Sequence, residues 1–302
     1  MALTDGCVWL IGGTSESVLL AEALAEAGVP FVVTVTTEAA RALYTQTMRV
    51  VVGALSALEM KAFVEKWRVR CILDASHPFA NVVSQQSIAL AKSRFDESRL
   101  TNSELAKGEP DKSGPEKSIT SSSPAHLQTH QLYYLRYERQ SISGIERAKV
   151  ENSENRVTYV DSLEDLIETD ILRRQRVLFT VGYRHLAQFA PLRQSSALFA
   201  RVLPSVEAIK GAIAAGFSSK EIIALRPPVS AAVEMALWQQ WQITCVVAKA
   251  SGAAGGEEAK RAIAARLGVW LVLIKRPQLI YPNQTNSISS AVEFCCKRLS
   301  LY

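Results

Sequence analysis

Short apolar runs alternate with helically spaced stretches along almost the whole chain. Runs at 7–11, 31–35, 48–52, 71–74 and 132–137 are separated by helical patterns such as 15–27, 56–67 and 82–94. A second series begins at 157–160 and continues at 177–181, 198–203, 222–225, 245–248 and 269–275. Continuous apolar runs of this length are the mark of strands buried on both faces, and strands that alternate with helices build a helix-covered parallel sheet. The pattern predicts an α/β chain with that arrangement twice. One domain is expected over 1–140, a polar linker over 141–156 and a second domain over 157–302. Asp96 to Gln131 breaks the rhythm: Ser, Thr, Lys, Glu, Pro and Gly dominate it. A disordered insertion is expected there, because so few apolar groups cannot offset the entropy of ordering the chain.

The most informative local stretch is Cys245 to Pro277. Val246 and Val247 read as a buried strand, Ala259, Ala262, Ile263 and Leu267 share one helical face, and Gly268 is placed to stop that helix. Between strand and helix, Lys249, Ser251, Gly252, Gly255 and Gly256 offer a cation, a hydroxyl and open backbone amides, the composition of an anion site. A plain glycine turn is the competing reading, since Glu257 and Glu258 already suit the helix N-terminus. A second turn of this kind follows Cys7–Ile11, where Gly12, Gly13, Thr14 and Ser15 precede a helix carrying Leu20, Ala23, Leu24 and Ala27 on one face. Strand, glycines and helix in that order suit a dinucleotide, although G-G-T-S-E-S is not the G-x-G-x-x-G fingerprint. The next strand ends at Thr36 and Thr37 with Arg41 just beyond. An Arg in place of the usual acid accommodates a 2′-phosphate, so NADPH is the expected cofactor, with NADH the alternative and Glu38 a discordant neighbour.

Composition narrows the class. Hydrophobic residues make up 48% and charged residues 21%, a globular balance, and no apolar run approaches the roughly 18–20 residues that span a bilayer. No secretory signal is apparent, and Cys7, Cys71, Cys245, Cys295 and Cys296 show no C-x-x-C spacing, so free thiols in a reducing cytoplasm are expected. Residues 157–302 hold 17 Lys and Arg against 11 Asp and Glu, while 1–95 hold eight of each. That surplus fits a polyanionic ligand or simply a solvated surface. Nucleic acid is not expected, because no basic cluster is interleaved with aromatics. Nor is a membrane, an obligate protein partner or a metal; His126 and His130 share i, i+4 spacing only inside the polar insertion.

Three further clusters stand at strand ends, the rim where open α/β sheets bind ligands. Asp74-Ala-Ser76-His77-Pro78 follows one strand, with helix capping as its ordinary explanation. Tyr134-Leu-Arg136-Tyr137-Glu138-Arg139 ends another. Thr180-Val-Gly182-Tyr-Arg184-His185 and Arg201-Val-Leu-Pro204 repeat the theme. Arg136, Arg184 and Arg201 are suited to carboxylates by their planar forks, although a surface ion pair between Arg136 and Glu138 would account for the first.

Taken in order, L-I-G-G-T-S-E, D-A-S-H-P-F-A, L-R-Y-E-R, A-R-V-L-P, K-A-S-G-A-A-G-G and I-K-R-P resemble the precorrin-6A reductases of cobalamin biosynthesis over nearly the whole chain apart from 96–131. The resemblance implies two Rossmann-like domains with a cleft between them, and NADPH-dependent reduction of one double bond in precorrin-6A or its cobalt form. By position it implies that Gly12, Gly13 and Thr14 hold the cofactor, while Asp74, Ser76, His77 and Pro78 border the cleft. His77 and Tyr137 are the candidate proton donors, and Arg136, Arg184, Arg201, Lys249 and Ser251 the candidate grips on a carboxylate-rich tetrapyrrole. The chain departs from the family pattern at Gln140, Val181 and Arg226–Ser230. A non-catalytic NADPH-binding sensor and a reductase of another small molecule are the alternatives, the strand-end arginines of the second half weighing against the sensor.

Overall fold

The computed structural model describes residues 6–105, 131–138, 156–252 and 255–299, with the backbone alone over 95–105. Twelve strands are described: β1 (Cys7–Ile11), β2 (Phe31–Val35), β3 (Val50–Val52), β4 (Val69–Asp74), β5 (Tyr133–Tyr137), β6 (Val157–Val160), β7 (Arg176–Phe179), β8 (Ala197–Val202), β9 (Ile222–Ala224), β10 (Cys245–Lys249), β11 (Trp270–Ile274) and β12 (Gln284–Thr285). They form two wholly parallel sheets of six, in the orders β12-β5-β4-β1-β2-β3 and β6-β11-β10-β7-β8-β9. In the first sheet the chain runs outward over β1, β2 and β3, returns to the other side of β1 and continues outward there; in the second, β6 forms the far edge, the same course runs from β7, and β11 ends beside β6. The strand order therefore reverses between β1 and β4 and between β7 and β10, the two places where such sheets receive ligands.

The chain divides into two compact units, Met1–Arg139 with Leu279–Tyr302, and Gln140–Gln278. This differs from the expected second domain of 157–302, because the final segment pairs β12 with β5 and lays a helix on the first sheet. The linker expected over 141–156 lies outside the described residues except for Arg156, as do His126 and His130.

The first unit carries α1 (Ser15–Glu26), α2 (Glu38–Arg41), α3 (Ala57–Lys66) and α4 (Asn81–Leu105). Every residue of β1 is buried, and alternation sends Val8 and Leu10 to one face, against Leu20 and Leu24, and Trp9 and Ile11 to the other, against Met60 and Phe63. Fully burying side chains of this size contributes about 1.5–3 kcal/mol apiece, so this strand is the backbone of the unit. Thr14 begins α1 with a capping box shared with Ser17, and Ser56 does the same for α3 with Glu59. Helix α4 continues to Leu105, ten residues into the stretch whose composition predicts disorder; the remainder, 106–130, lies outside the described residues.

The second unit carries α5 (Leu163–Glu168), α6 (Val206–Ala214), α7 (Ala231–Gln240) and α8 (Glu257–Leu267), while α9 (Ile288–Leu299) returns to the first sheet, where Ala291, Cys295, Cys296 and Leu299 join its core. Gly268 ends α8 in the left-handed conformation, as its position predicts. After β7 the chain forms two 3-10 segments, Tyr183–His185 and Ala187–Gln194, instead of an α-helix. All five cysteines are buried free thiols, and burial raises those of Cys7 and Cys245 to about 12. Among the described residues no helix is long and apolar enough to cross a membrane.

Candidate functional site

At the order reversal of the first sheet, the ends of β1, β4 and β5 border a shallow open depression lined by Thr14, Glu16, Ala75, Ser76, Pro78, Arg136 and Tyr137. Each reaches it because parallel strands deliver their carboxyl ends to the same edge. The β1–α1 turn forms one wall. Gly13 has φ +100°, a conformation that favours glycine, and is exposed. Thr14 accepts from the amide of Ser17 and donates to the carbonyl of Ala75, which ties the turn to the end of β4. Ser15 is exposed and donates to Glu16.

Asp74, expected to border the cleft, is 0% exposed and turned inward. Its carboxylate accepts from the Ser76 amide (3.0 Å), the Ser84 hydroxyl (2.6 Å), the Tyr134 hydroxyl (2.7 Å) and Arg136 Nη1 (2.9 Å). Arg136, expected to grip a substrate carboxylate, is 1% exposed; it also donates to Ser76 Oγ and Glu138, and it lies against the Tyr281 ring. Burial works against its charge, but Asp74 and Glu138 outweigh burial and raise its pKa. Both residues therefore shape the rim, since each already has its charged partner within the fold. Burial and the neighbouring Asp74 raise Tyr134 strongly, so it stays a phenol and a donor. Pro78 is buried in the rim, whereas His77 is exposed and its Nδ1 accepts from the Phe79 amide at 3.3 Å. Thr37 and Arg41 stand exposed at the end of β2, where Thr37 caps α2 through the Ala40 amide.

In the second sheet the equivalent edge is formed by Thr180 and Gly182 after β7 and by Lys249, Ala250 and Ser251 at β10. Burial lowers the pKa of Lys249. Nearby His185 counts as exposed by surface area, yet its ring has enough protein around it that burial is the first cause of its lowered pKa; Lys249 and Arg184 lower it further and Glu164 opposes them. The glycine turn beyond is largely closed on itself. Glu257, 2% exposed, accepts from the Gly252 amide at 3.0 Å, and Lys260 Nζ donates to the carbonyls of Gly255 and Gly256. Gly255 must be glycine because an added Cβ would overlap the buried Ser251 hydroxyl. Arg201 is paired with Glu234, which is buried, rather than presented to a ligand. Arg184 remains exposed, near Tyr183 and Glu207.

Sequence reasoning thus singles out Thr14, Ser76, Pro78, Arg136 and Tyr137, which line one depression, while the fold pairs Asp74 with Arg136 and Arg201 with Glu234. Such reasoning overlooks Tyr44, Glu234 and Tyr281. Tyr44 leaves a faint signal as a lone aromatic in a polar stretch three residues after Arg41. Glu234 and Tyr281 leave none, since their partners are remote in the chain.

A model of the family "Precorrin-6x reductase CbiJ/CobK" matches residues 7–99 and 117–296. The chain is 40% identical to the cobalt-precorrin-6A reductase of Synechocystis sp., over 97% of each chain. It is 29% identical to that of Salmonella typhimurium, over 91% of this chain and 89% of the relative, and 28% identical to that of Priestia megaterium, over 94% and 96%. Among solved structures, a chain described as CobK precorrin-6A reductase superposes with a TM-score of 0.66 at 19% identity, covering 97% of both, a likeness of fold.

Proposed function

The chain belongs to the precorrin-6x reductase family, and from that premise we propose that it reduces one double bond of a precorrin-6A macrocycle to the dihydro product of cobalamin biosynthesis, with NADPH as donor and the cobalt form as substrate. The match across both units carries this reading, and the relatives' names favour the cobalt form. The cofactor's fit rests on the exposed, positive-φ Gly13 at the head of α1, at the order reversal of an all-parallel sheet.

Gly12, Gly13, Thr14 and Ser15 would hold the pyrophosphate, and Thr37 with Arg41 the 2′-phosphate. Asp74 acts behind them, fixing Ser76 and Arg136 so that the rim keeps its shape. When bound, NADPH supplies a hydride to one carbon of the reduced bond, and a proton completes the other. Tyr137 is assigned as the proton donor because it lines the depression. His77 is the weaker candidate, since it does not line the depression. Lys249 and Ser251, with Arg184 and His185 nearby, would receive the carboxylates of the macrocycle, which leaves Arg136 and Arg201 out of that role.

The test mixes purified protein, NADPH and cobalt-precorrin-6A without oxygen and follows nicotinamide absorbance together with the tetrapyrrole spectrum. Loss of reduced nicotinamide in step with a macrocycle change is expected, with Tyr137→Phe slowed at least tenfold and His77→Ala close to wild type. No macrocycle change would overturn the proposed reaction, and the reverse ranking of the variants would overturn the donor assignment.

A further inference from the structure

Gly12 is not glycine for the reason its sequence context implies. A Cβ there would stand 2.2 Å from the Tyr44 hydroxyl oxygen, 3.0 Å from Val33 Cγ1 and 3.2 Å from Tyr44 Cζ. The empty space at Gly12 is occupied by a phenol of the protein itself. That hydroxyl accepts from the Gly13 amide at 3.0 Å and lies 2.6 Å from Ser17 Oγ. Ser17 has one hydroxyl proton, which goes to the Thr14 carbonyl at 2.6 Å, while its oxygen accepts from the Thr14 amide at 3.0 Å. Tyr44 must therefore be the donor to Ser17 and the acceptor from Gly13, so a single phenol fixes the turn from both sides. Tyr44 is buried, and its pKa is raised, mainly by that burial, which keeps the proton this arrangement requires.

The same residue ends the short segment that carries Thr37 and Arg41. The Tyr44 amide donates to the Arg41 carbonyl at 3.0 Å, and Gly13 faces Ala40 of the same segment. One side chain thus fastens the exposed Arg41 segment to the glycine turn. We propose that Tyr44 is a positioning residue of the cofactor site, whose hydroxyl clasps the Gly12–Thr14 turn, holds Arg41 in place for a 2′-phosphate and so sets the preference for NADPH over NADH. The proposal rests on the cofactor reading above. Tyr44 itself touches no reacting atom.

Tyr44→Phe keeps the ring and removes the clasp. Titration with each nucleotide should show NADPH weakened about fivefold to tenfold, the scale of one or two hydrogen bonds lost, with NADH, which shares the turn but lacks the 2′-phosphate, weakened at least about twofold less and the effect appearing in KM rather than kcat. In an Arg41→Ala background the same substitution should weaken NADPH only as much as it weakens NADH. A second pair reads the steric half of the claim. Gly12→Ala should weaken NADPH binding at least about tenfold in the wild type but less than about threefold beside Tyr44→Phe, where the 2.2 Å overlap is gone. Equal losses of NADPH and NADH in Tyr44→Phe, or an undiminished Gly12→Ala cost in that background, would overturn the proposal while leaving the cofactor reading intact. Wild-type protein that binds neither nucleotide would instead overturn the reading beneath it.

Discussion

The two sheets share five strands of their order and differ in the sixth, the last strand in the first sheet and the first strand in the second, yet their ligand-facing edges treat charge in opposite ways. At the first edge Arg136 sits in a lattice of Asp74, Glu138, Ser76 and Tyr281, and its charge is held more firmly than in water. At the second edge Lys249 has its charge discouraged by burial and lies near a second basic group, His185. An arginine already matched by carboxylates has little left to offer a ligand, whereas an anion brought to Lys249 would favour the charge that burial opposes. On the proposed reading the first edge holds a shape, and the second receives the carboxylates. The glycine turns differ in the same sense: the one after β1 leaves Gly13 exposed, while the more glycine-rich one after β10 binds its own Glu257.

The most severe way to break this contrast is Asp74→Ala. Removing one partner of a buried ion pair typically costs about 3–5 kcal/mol, because the other charge is left uncompensated. Urea denaturation should show a loss of that order in the first unit. A loss below about 1 kcal/mol would mean that Arg136 is not held by Asp74. Lys249→Ala should sharpen the contrast from the other side, weakening tetrapyrrole binding about tenfold, or about 1.4 kcal/mol, with NADPH affinity unchanged; wild-type binding of both ligands would remove Lys249 from the site.

The smallest effect concerns pH. His185 titrates below its ordinary 6.5 in the folded protein, so around that pH the unfolded chain binds the extra proton. Stability on this account is complete above about 6.5 and declines as pH falls below it toward the folded value. His185→Gln should flatten the fall in Tm between about pH 7 and 5.5. An unchanged slope would show that the histidine feels neither its burial nor Lys249.

Much of the fold is legible in the chain because burial imposes a local period. The wholly buried β1, the Thr14 cap and the Gly268 stop are each decided within a few residues. The return of the last segment is not legible: β12 is two residues long, and its backbone pairing with Arg136 and Tyr137 needs no particular side chains. The glycine turns are visible as turns, but not whether their amides face a ligand, a phenol 31 residues away or a carboxylate five residues on.

The sequence by itself therefore determined the two alternating series, the parallel α/β class and the family. The tertiary structure alone decided which of the conspicuous charged residues are open to a ligand. Helix and strand periods arise between neighbours in the chain, whereas the state of a charge depends on what lies within a few ångströms. For Arg136 that neighbour is Asp74, 62 positions away in sequence and 2.9 Å away in space.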